Sequence, residues 1–290
     1  MANEASEAAY TMVQQLINWK RYKEAIVEAE QILRLEPEDP NAFALISQIY
    51  LLMEEYEKAL HWTKETLRRE PEHELAWFVR VSVYYETDDE KSFNEALQEA
   101  MRIDPYEAHY YFMKANKLNK KGKFKEAKEQ LLQALELKPE SPLYLAMLSY
   151  IEALVGNDAE SSRLDRQAIQ YDAELPYVLI YLAWAAGYRN DYKLKETYMR
   201  SAVRLNPEDK QFQDEYLETL QQSNKLFRIF LWPRKYIRKL KRWQILASWI
   251  IAWLLFKPLI LLFIVLYVLA HWVTKGVVHV RVFGWRRRNS

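Results

Sequence analysis

The chain has 290 residues, of which half are apolar, and it contains no cysteine. This composition excludes wholesale disorder, disulfide bonds, thiolate metal sites and a cysteine nucleophile. The net charge of +1 is the sum of two unlike segments. Residues 1–218 form an acidic body with 27 Lys and Arg against 40 Asp and Glu, whereas residues 219–290 hold 14 Lys and Arg and no acid. An asymmetry of this size predicts that the basic segment meets an anionic surface.

Within the acidic body, prolines recur with a constant period. They are Pro37, Pro71, Pro105, Pro139 and, two periods later, Pro207. Fifteen residues before these positions stand the aromatic residues Tyr22, Tyr56, Phe124 and Tyr192, and shortly before the last two stand Gly122 and Asn190. The period, about 34 residues, is typical of helix-turn-helix repeats. The sequence therefore predicts an all-α solenoid.

Placing each proline at position 32 divides the body into six repeats of two helices each. The predicted repeats are 6–39, 40–73, 74–107, 108–141, 142–175 and 176–209. Residues 208–222 place Phe212, Tyr216 and Leu220 four residues apart, which predicts an amphipathic helix that caps the array. The predicted solenoid domain is thus 1–222.

These repeats resemble tetratricopeptide repeats over most of the chain, residues 6–209. The family pattern has a bulky residue at position 4, which reads here Ala9, Phe43, Trp77, Tyr111, Leu145 and Leu179. Small residues follow at position 8, alanines at 20 and 27, and proline at 32. Repeat five departs most, with Glu152, Ser161 and Ala173 at consensus positions. We expect looser packing or shifted boundaries there.

The resemblance implies a concave groove lined by positions 2, 5, 9, 12 and 13 of each first helix. Carried onto this sequence, the predicted groove residues are Tyr10, Gln14, Phe78, Tyr85, His109, Phe112, Asn116, Tyr150, Tyr177, Trp184 and Tyr188. Aromatic side chains on a concave face suit a protein or peptide ligand. Ordinary packing between helices is the alternative for each residue. The cationic clamp that some family members use for carboxylate termini is missing, since the first repeats offer Tyr10 and Gln14.

After the solenoid, residues 223–244 form a predicted basic amphipathic juxtamembrane segment. Its candidate membrane-surface residues are Arg234, Lys235, Arg238, Lys239, Lys241 and Arg242. Aromatic and aliphatic residues alternate with them, which indicates a helix lying on anionic lipids. Nucleic acid is not expected as a partner, because an apolar segment follows directly.

Residues 245–273 carry a single charge, Lys257, and exceed the roughly 20 residues needed to cross a bilayer. We predict a membrane segment, interrupted by Lys257 and Pro258. Three arrangements remain open: a single span over 253–273, a hairpin bent at Lys257-Pro258, or one helix over the whole of 245–273. A basic C-terminal tail, 274–290, follows, in which residues 277–283 alternate as a short strand does but are too few to assign, and an irregular tail is the alternative. The positive-inside rule places the repeats in the cytoplasm, at a bacterial plasma membrane or an organelle outer membrane.

No motif for phosphate binding, nucleophilic catalysis or metal ligation is present, so no enzyme, cofactor or metal is predicted. The favoured function is a membrane-anchored adaptor that holds a protein or peptide partner at the cytoplasmic face. The alternative is a fixed subunit of a larger envelope complex, for secretion or cell-wall assembly. In that case the membrane segment would pack against other membrane helices.

Overall fold

The computed structural model describes residues 2–172, 174–223 and 242–283, and these residues form helices without any strand. The all-α prediction is confirmed. In chain order the helices are α1 (Ala2–Asn18), α2 (Tyr22–Leu35), α3 (Pro40–Leu52), α4 (Tyr56–Arg69), α5 (Glu74–Glu86), α6 (Glu90–Ile103), α7 (Ala108–Lys120), α8 (Phe124–Leu137), α9 (Pro142–Val155), α10 (Asp158–Tyr171), α11 (Pro176–Tyr188), α12 (Tyr192–Leu205), α13 (Lys210–Ser223) and α14 (Arg242–Phe283).

The chain divides into two compact units, Met1–Met113 and Lys114–Ser290. In the first unit, each helix from α1 to α6 packs against the next, and α3 also packs against α5. In the second unit, the helices from α8 to α13 pack in the same successive manner, and α9 also packs against α11. Packing restricted to near neighbours along the chain is typical of helical repeats.

The turn inside every repeat contains one residue with a positive φ angle. These residues lie one repeat period apart and are Lys20, Glu54, Asp88, Gly122, Gly156 and Asn190, with φ values between 56° and 94°. A left-handed residue is the usual way to end a helix, and glycine or asparagine adopts it with least strain. The last three positions carry such residues. The first three do not, so nothing in their residue type indicates the turn.

Position 4 of the first helix is tied to the proline that ends the preceding repeat. The indole nitrogen of Trp77 donates to the Pro71 carbonyl at 2.8 Å, and the Tyr111 hydroxyl donates to Pro105 at 3.0 Å. In α13, the Gln213 amide makes the same contact with Pro207 at 2.6 Å. Each bond gives a donor to the carbonyl of a proline that lies in the turn between two helices. At these three places, therefore, the side chain at position 4 is bonded to the turn that precedes its helix.

Helix α13 packs against the last repeat. Phe212 is 2% exposed and packs with Leu179, Ile180 and Met199, while Tyr216 packs at the edge of this cluster. α13 also begins one repeat period after the start of α11, so it has the phase of a first helix. Its side chains continue the register of α9 and α11 into a seventh, partial repeat.

The expected loosening of repeat five does not occur. Its helices α9 and α10 begin in phase, and Glu152 and Ser161 are buried at 1% and 0% exposure. The Glu152 carboxylate pairs with Lys128 at 2.5 Å and accepts a hydrogen bond from the Asn157 amide. Polar residues at consensus positions are thus accommodated by polar partners. Ala173 lies outside the described residues.

Helix α14 is continuous from Arg242 to Phe283 and passes through Lys257 and Pro258 without a break. The bend that the hairpin arrangement requires is therefore not seen, and residues 277–283 are helical instead of forming a strand. Among the described residues, Leu261–Val280 is long and apolar enough to cross a membrane by length and composition, with a mean hydropathy of 1.9. The predicted surface residues Arg234, Lys235, Arg238, Lys239 and Lys241 lie outside the described residues, and Arg242 begins α14.

Candidate functional site

In the first unit, three of the predicted groove residues form an aromatic row. The rings of Phe78 and His109 lie 5.9 Å apart between centroids, and His109 stacks on Phe112 at 5.2 Å. Phe78 also contacts Tyr110, a fully buried residue that the family positions do not include, at 6.0 Å. Phe78 and His109 remain partly exposed, so one edge of the row is available to a ligand.

The other predicted residues of the first unit do not join this row. Tyr85 packs on the buried Phe93 at 6.0 Å between ring centroids, which agrees with ordinary core packing. The Tyr10 hydroxyl donates to the Asp39 carboxylate, and burial together with this acid raises the pKa of the phenol. Gln14 is exposed.

The second unit brings four rings together on its first helices, and we call Tyr150, Tyr181, Trp184 and Tyr188 the aromatic cluster. Tyr150 lies 6.1 Å from Tyr181, 5.5 Å from Trp184 and 5.7 Å from Tyr188 between ring centroids. Tyr181 meets Trp184 edge to face at 5.3 Å. Tyr150, Trp184 and Tyr188 are partly exposed. Tyr181 is 8% exposed, and its ring packs against those of Tyr150 and Trp184.

Polar contacts fix the orientation of the aromatic cluster. The Asn116 amide donates to the Tyr181 hydroxyl at 2.8 Å, and the Trp184 indole donates to the Glu215 carboxylate at 2.5 Å. Burial raises the pKa of Tyr181 to about 12, against the opposing effect of the Asn116 hydrogen bond. Burial likewise raises the pKa of Tyr150. Tyr150 and Tyr181 therefore stay neutral at physiological pH.

Sequence reasoning placed Asn116, Tyr150, Trp184 and Tyr188 at groove positions, and the structure brings these four side chains into one neighbourhood. Tyr177 does not join them: it is 64% exposed and lies edge to face on Phe212 at 5.6 Å. Tyr181 and Glu215 were missed. Both stand one residue beyond a family groove position, so the family pattern does not include them.

Behind the aromatic cluster lies a buried polar network that the sequence did not reveal. Arg189 and Asp165 form an ion pair at 2.5 Å, with side-chain exposures of 7% and 4%. Ser149 and Ser161 contact each other at 2.9 Å, Ser149 also donates to Asp165, and Arg189 donates to Ser161. The network joins α9, α10 and the end of α11. It holds the helices that carry the cluster in a fixed relation.

Among the described residues, no group of three or more His, Asp or Glu side chains could hold a metal ion. Several exposed acids form local pairs with Lys or Arg three or four residues away, such as Arg163 with Glu160 at 2.6 Å. Such pairs contribute little to stability and belong to solvated helix surfaces.

Comparisons with known proteins agree with this geometry. Residues 18–98 match the family of anaphase-promoting complex (cyclosome) subunit 3, and residues 108–141 match the tetratricopeptide repeat family. A search of curated proteins gave no significant sequence match.

Solved structures resemble the fold at low sequence identity. Pseudomonas aeruginosa pilF has a TM-score of 0.59 at 16% identity, with 75% of this chain and 99% of that chain covered. A chain of the APC/C hetero-tetramer Cut9-Hcn1 has a TM-score of 0.61 at 12% identity, covering 74% and 46%. A tetratricopeptide repeat protein from Parabacteroides merdae has a TM-score of 0.59 at 11% identity, covering 74% and 84%. At these identities the likeness concerns the fold alone.

Proposed function

We propose that this chain, a protein built of tetratricopeptide repeats, is a membrane-anchored scaffold that holds a protein or peptide partner at the cytoplasmic face. Scaffolding of protein interactions is the general role of such repeats, and the partner site and the anchor are the specific parts of the proposal. The main support for the proposed partner site is the aromatic cluster of the second unit. Tyr and Trp are enriched among the residues that dominate binding energy in protein interfaces, and here they are partly exposed and held by neighbouring side chains.

The partner is expected to dock on Tyr150, Trp184 and Tyr188. These side chains have few rotatable bonds, and Trp184 is held by Glu215, so little side-chain entropy is lost on binding. The edges of the rings and the tyrosine hydroxyls suit an extended or helical segment with apolar anchors. The aromatic row in the first unit, Phe78 with His109, offers a second surface of the same chemistry.

The anchor is α14. Its described side chains between Leu261 and Val273 are mostly more than one-third exposed, although nearly all are apolar. A soluble protein rarely exposes an apolar patch of this length, whereas a bilayer would cover it. The basic residues at 228–242 would then lie at the anionic headgroups, which supports a cytoplasmic position for the repeats.

A photo-crosslinking amino acid at Tyr188, in membranes from cells that make the full chain, tests the partner site. We expect a discrete crosslinked product that Trp184→Ala reduces by at least about tenfold, because truncating an interface hot spot typically costs about 2 kcal/mol or more. Trp19→Ala serves as the matched control, since Trp19 is 61% exposed in the turn between α1 and α2 and outside the predicted groove positions. Equal products from Trp184→Ala and the unaltered chain would refute the site.

The alternative function, a fixed subunit of an envelope complex, is favoured by Lys257, the one charge in residues 245–273. A lysine in the middle of an apolar helix is costly unless it reaches the interface or pairs with an acid. The two functions differ in the outcome of Lys257→Leu. A simple anchor retains both membrane association and its partner, whereas a subunit that pairs Lys257 with another membrane protein loses that protein on purification.

A further inference from the structure

In the first unit, cations of the chain lie at two places on an aromatic ring beside an acid. The Arg69 guanidinium lies 3.9 Å from the centre of the Phe43 ring and pairs with Glu65 at 2.9 Å. The Lys58 ammonium lies 5.2 Å from the centre of the Tyr50 ring and pairs with a glutamate three residues before it. A ring face carries partial negative charge, so the ring and the carboxylate attract the same cation.

The aromatic cluster of the second unit has the ring and the acid. The Glu215 carboxylate accepts the hydrogen bond of the Trp184 indole at 2.5 Å. Burial raises the pKa of Tyr150, and the charge of Glu215 adds to this effect, so the carboxylate also lies near that phenol. All three side chains are partly exposed. The second oxygen of Glu215 accepts a long bond of 3.4 Å from the Gln211 amide, which leaves it capacity for a further donor.

The cation that completes this arrangement in the first unit is missing at the aromatic cluster. Among the described residues, no Lys or Arg pairs with Glu215, and none lies over the ring of Tyr150 or Trp184. A partly exposed carboxylate beside partly exposed rings is therefore open to a cation from another molecule.

The acids next to Glu215 on α13 have different surroundings. Asp214 and Glu218 line a cavity of about 310 Å³ together with a lysine and a histidine of α14, so bases of the chain already lie near them. Glu215 is not among the residues that line this cavity, and it contacts α11 through Trp184. Glu215 is therefore the acid of α13 that an incoming cation would meet at the aromatic cluster.

We propose that the partner places an arginine or lysine side chain on the aromatic cluster, where it pairs with Glu215 and lies against the rings of Tyr150 and Trp184. The proposal rests on the partner site proposed above and names the chemistry of the segment that binds there. Apolar neighbours of this base contact the remaining ring surface. A basic segment also complements the excess of acids in residues 1–218, which attracts it to the repeats.

A displayed library of short random peptides, selected on the detergent-solubilised full chain, tests the proposal. We expect the selected peptides to share an arginine or lysine beside aromatic or aliphatic residues. Replacement of that base by a neutral side chain of similar shape, citrulline or acetyl-lysine, should weaken binding by at least about tenfold, the usual loss when a charged hydrogen-bond partner is removed. Fluorescence polarisation of the labelled peptides measures the affinity.

Glu215→Gln separates the charge from the position of the indole, because the amide oxygen still accepts the Trp184 hydrogen bond. This variant should bind the selected peptides at least about tenfold more weakly and with less dependence on salt. Glu215→Gln and the neutral peptide should not add, since each removes the same ion pair. Glu129→Gln is the matched control, an exposed acid on α8 of the same unit, and should bind as the unaltered chain does.

Peptides that require Trp184 but carry no base, or that bind Glu215→Gln as tightly as the unaltered chain, would overturn this inference and leave the partner site standing. No peptide sensitive to Trp184→Ala, together with no crosslinked product from Tyr188, would overturn both. A crosslink from Tyr188 to residues 224–241 of the same chain would assign the place to the chain's own basic segment, and the proposal of a basic partner would be wrong.

Discussion

Arg189→Met is expected to lower the free energy of unfolding by about 3–5 kcal/mol, the usual cost of leaving one member of a buried ion pair without its partner. Arg189 and Asp165 are 7% and 4% exposed, so water cannot replace the lost contact. Ser149 would remain as a donor to the Asp165 carboxylate, but one hydroxyl does not neutralise a charge. Urea unfolding of the full chain in detergent, followed by circular dichroism, measures the loss.

Two variants separate the buried charge from a general effect of mutation. Arg163→Met removes an exposed ion pair with Glu160 and should cost less than about 0.5 kcal/mol. Arg189→Met combined with Asp165→Asn removes both buried charges and should be more stable than Arg189→Met alone. If the double variant is the less stable one, the buried-charge explanation is wrong.

The loss of stability caused by Arg189→Met should also depend on pH. Burial raises the pKa of Asp165, and the Arg189 guanidinium opposes this effect, so the pKa rises further once Arg189 is replaced. The folded state then holds a proton that the unfolded state, with its ordinary carboxyl pKa of about 3.9, has released. Stability therefore falls as pH rises from the ordinary pKa to the raised one. The difference in the free energy of unfolding between the Arg189→Met variant and the unaltered chain should be larger at pH 7.5 than at pH 4.

Leu262→Arg combined with Leu266→Arg is expected to abolish membrane association. Both side chains are exposed, at 54% and 46%, and they lie one turn apart on α14. An arginine near the centre of a membrane helix costs about 2.5–3.5 kcal/mol, so two cost about 5–7 kcal/mol. That corresponds to a loss of roughly 10⁴-fold or more in the partition between bilayer and water. Flotation of the purified chain with liposomes in a density gradient measures the partition.

A matched control introduces two arginines on the surface of the repeats instead of on α14. Leu35→Arg with Leu205→Arg replaces two leucines that are exposed on the repeats, at 59% and 38%. This variant should float with liposomes as the unaltered chain does. If both double variants float equally well, α14 is not what holds the protein to lipid.

The period of the repeats could be predicted from the sequence because two kinds of residue report it independently. Prolines cannot continue a helix, and Gly122 and Asn190 favour the left-handed turn that ends one. Where Lys20, Glu54 and Asp88 take the same backbone conformation, the packing of neighbouring helices overrides local preference. The repeat period therefore also locates the turns at Lys20, Glu54 and Asp88, where the residue type does not indicate a left-handed conformation.

The proposed binding surface was only partly predictable, for a physical reason. Family positions located Tyr150, Trp184 and Tyr188, because the direction of a side chain follows from its place in the helix. They missed Tyr181 and Glu215, since what these residues contact depends on the angle between helices and on rotamers. The network of Arg189 and Asp165 was missed for a similar reason. Charged residues on helices are usually solvated, and only the packing of α9, α10 and α11 reveals their burial.

For the proposed membrane segment, composition predicted an apolar helix but could not decide its path. Lys257 and Pro258 suggest an interruption, because proline removes a backbone donor and clashes with the preceding turn. The structure instead has a helix that runs through both residues. Flanking turns with strong helix propensity, such as the leucines before and after Pro258, offset the loss of one hydrogen bond.

The central claim, that α14 anchors a repeat scaffold in a bilayer, is tested most directly by alkaline carbonate extraction. Membranes are prepared from cells that make the unaltered full chain, washed at high pH and centrifuged, and the chain is then quantified in pellet and supernatant. We predict that it stays in the pellet with integral membrane proteins, because an apolar helix of this length does not leave the bilayer when charge interactions are removed. Release of the chain into the supernatant would contradict the account.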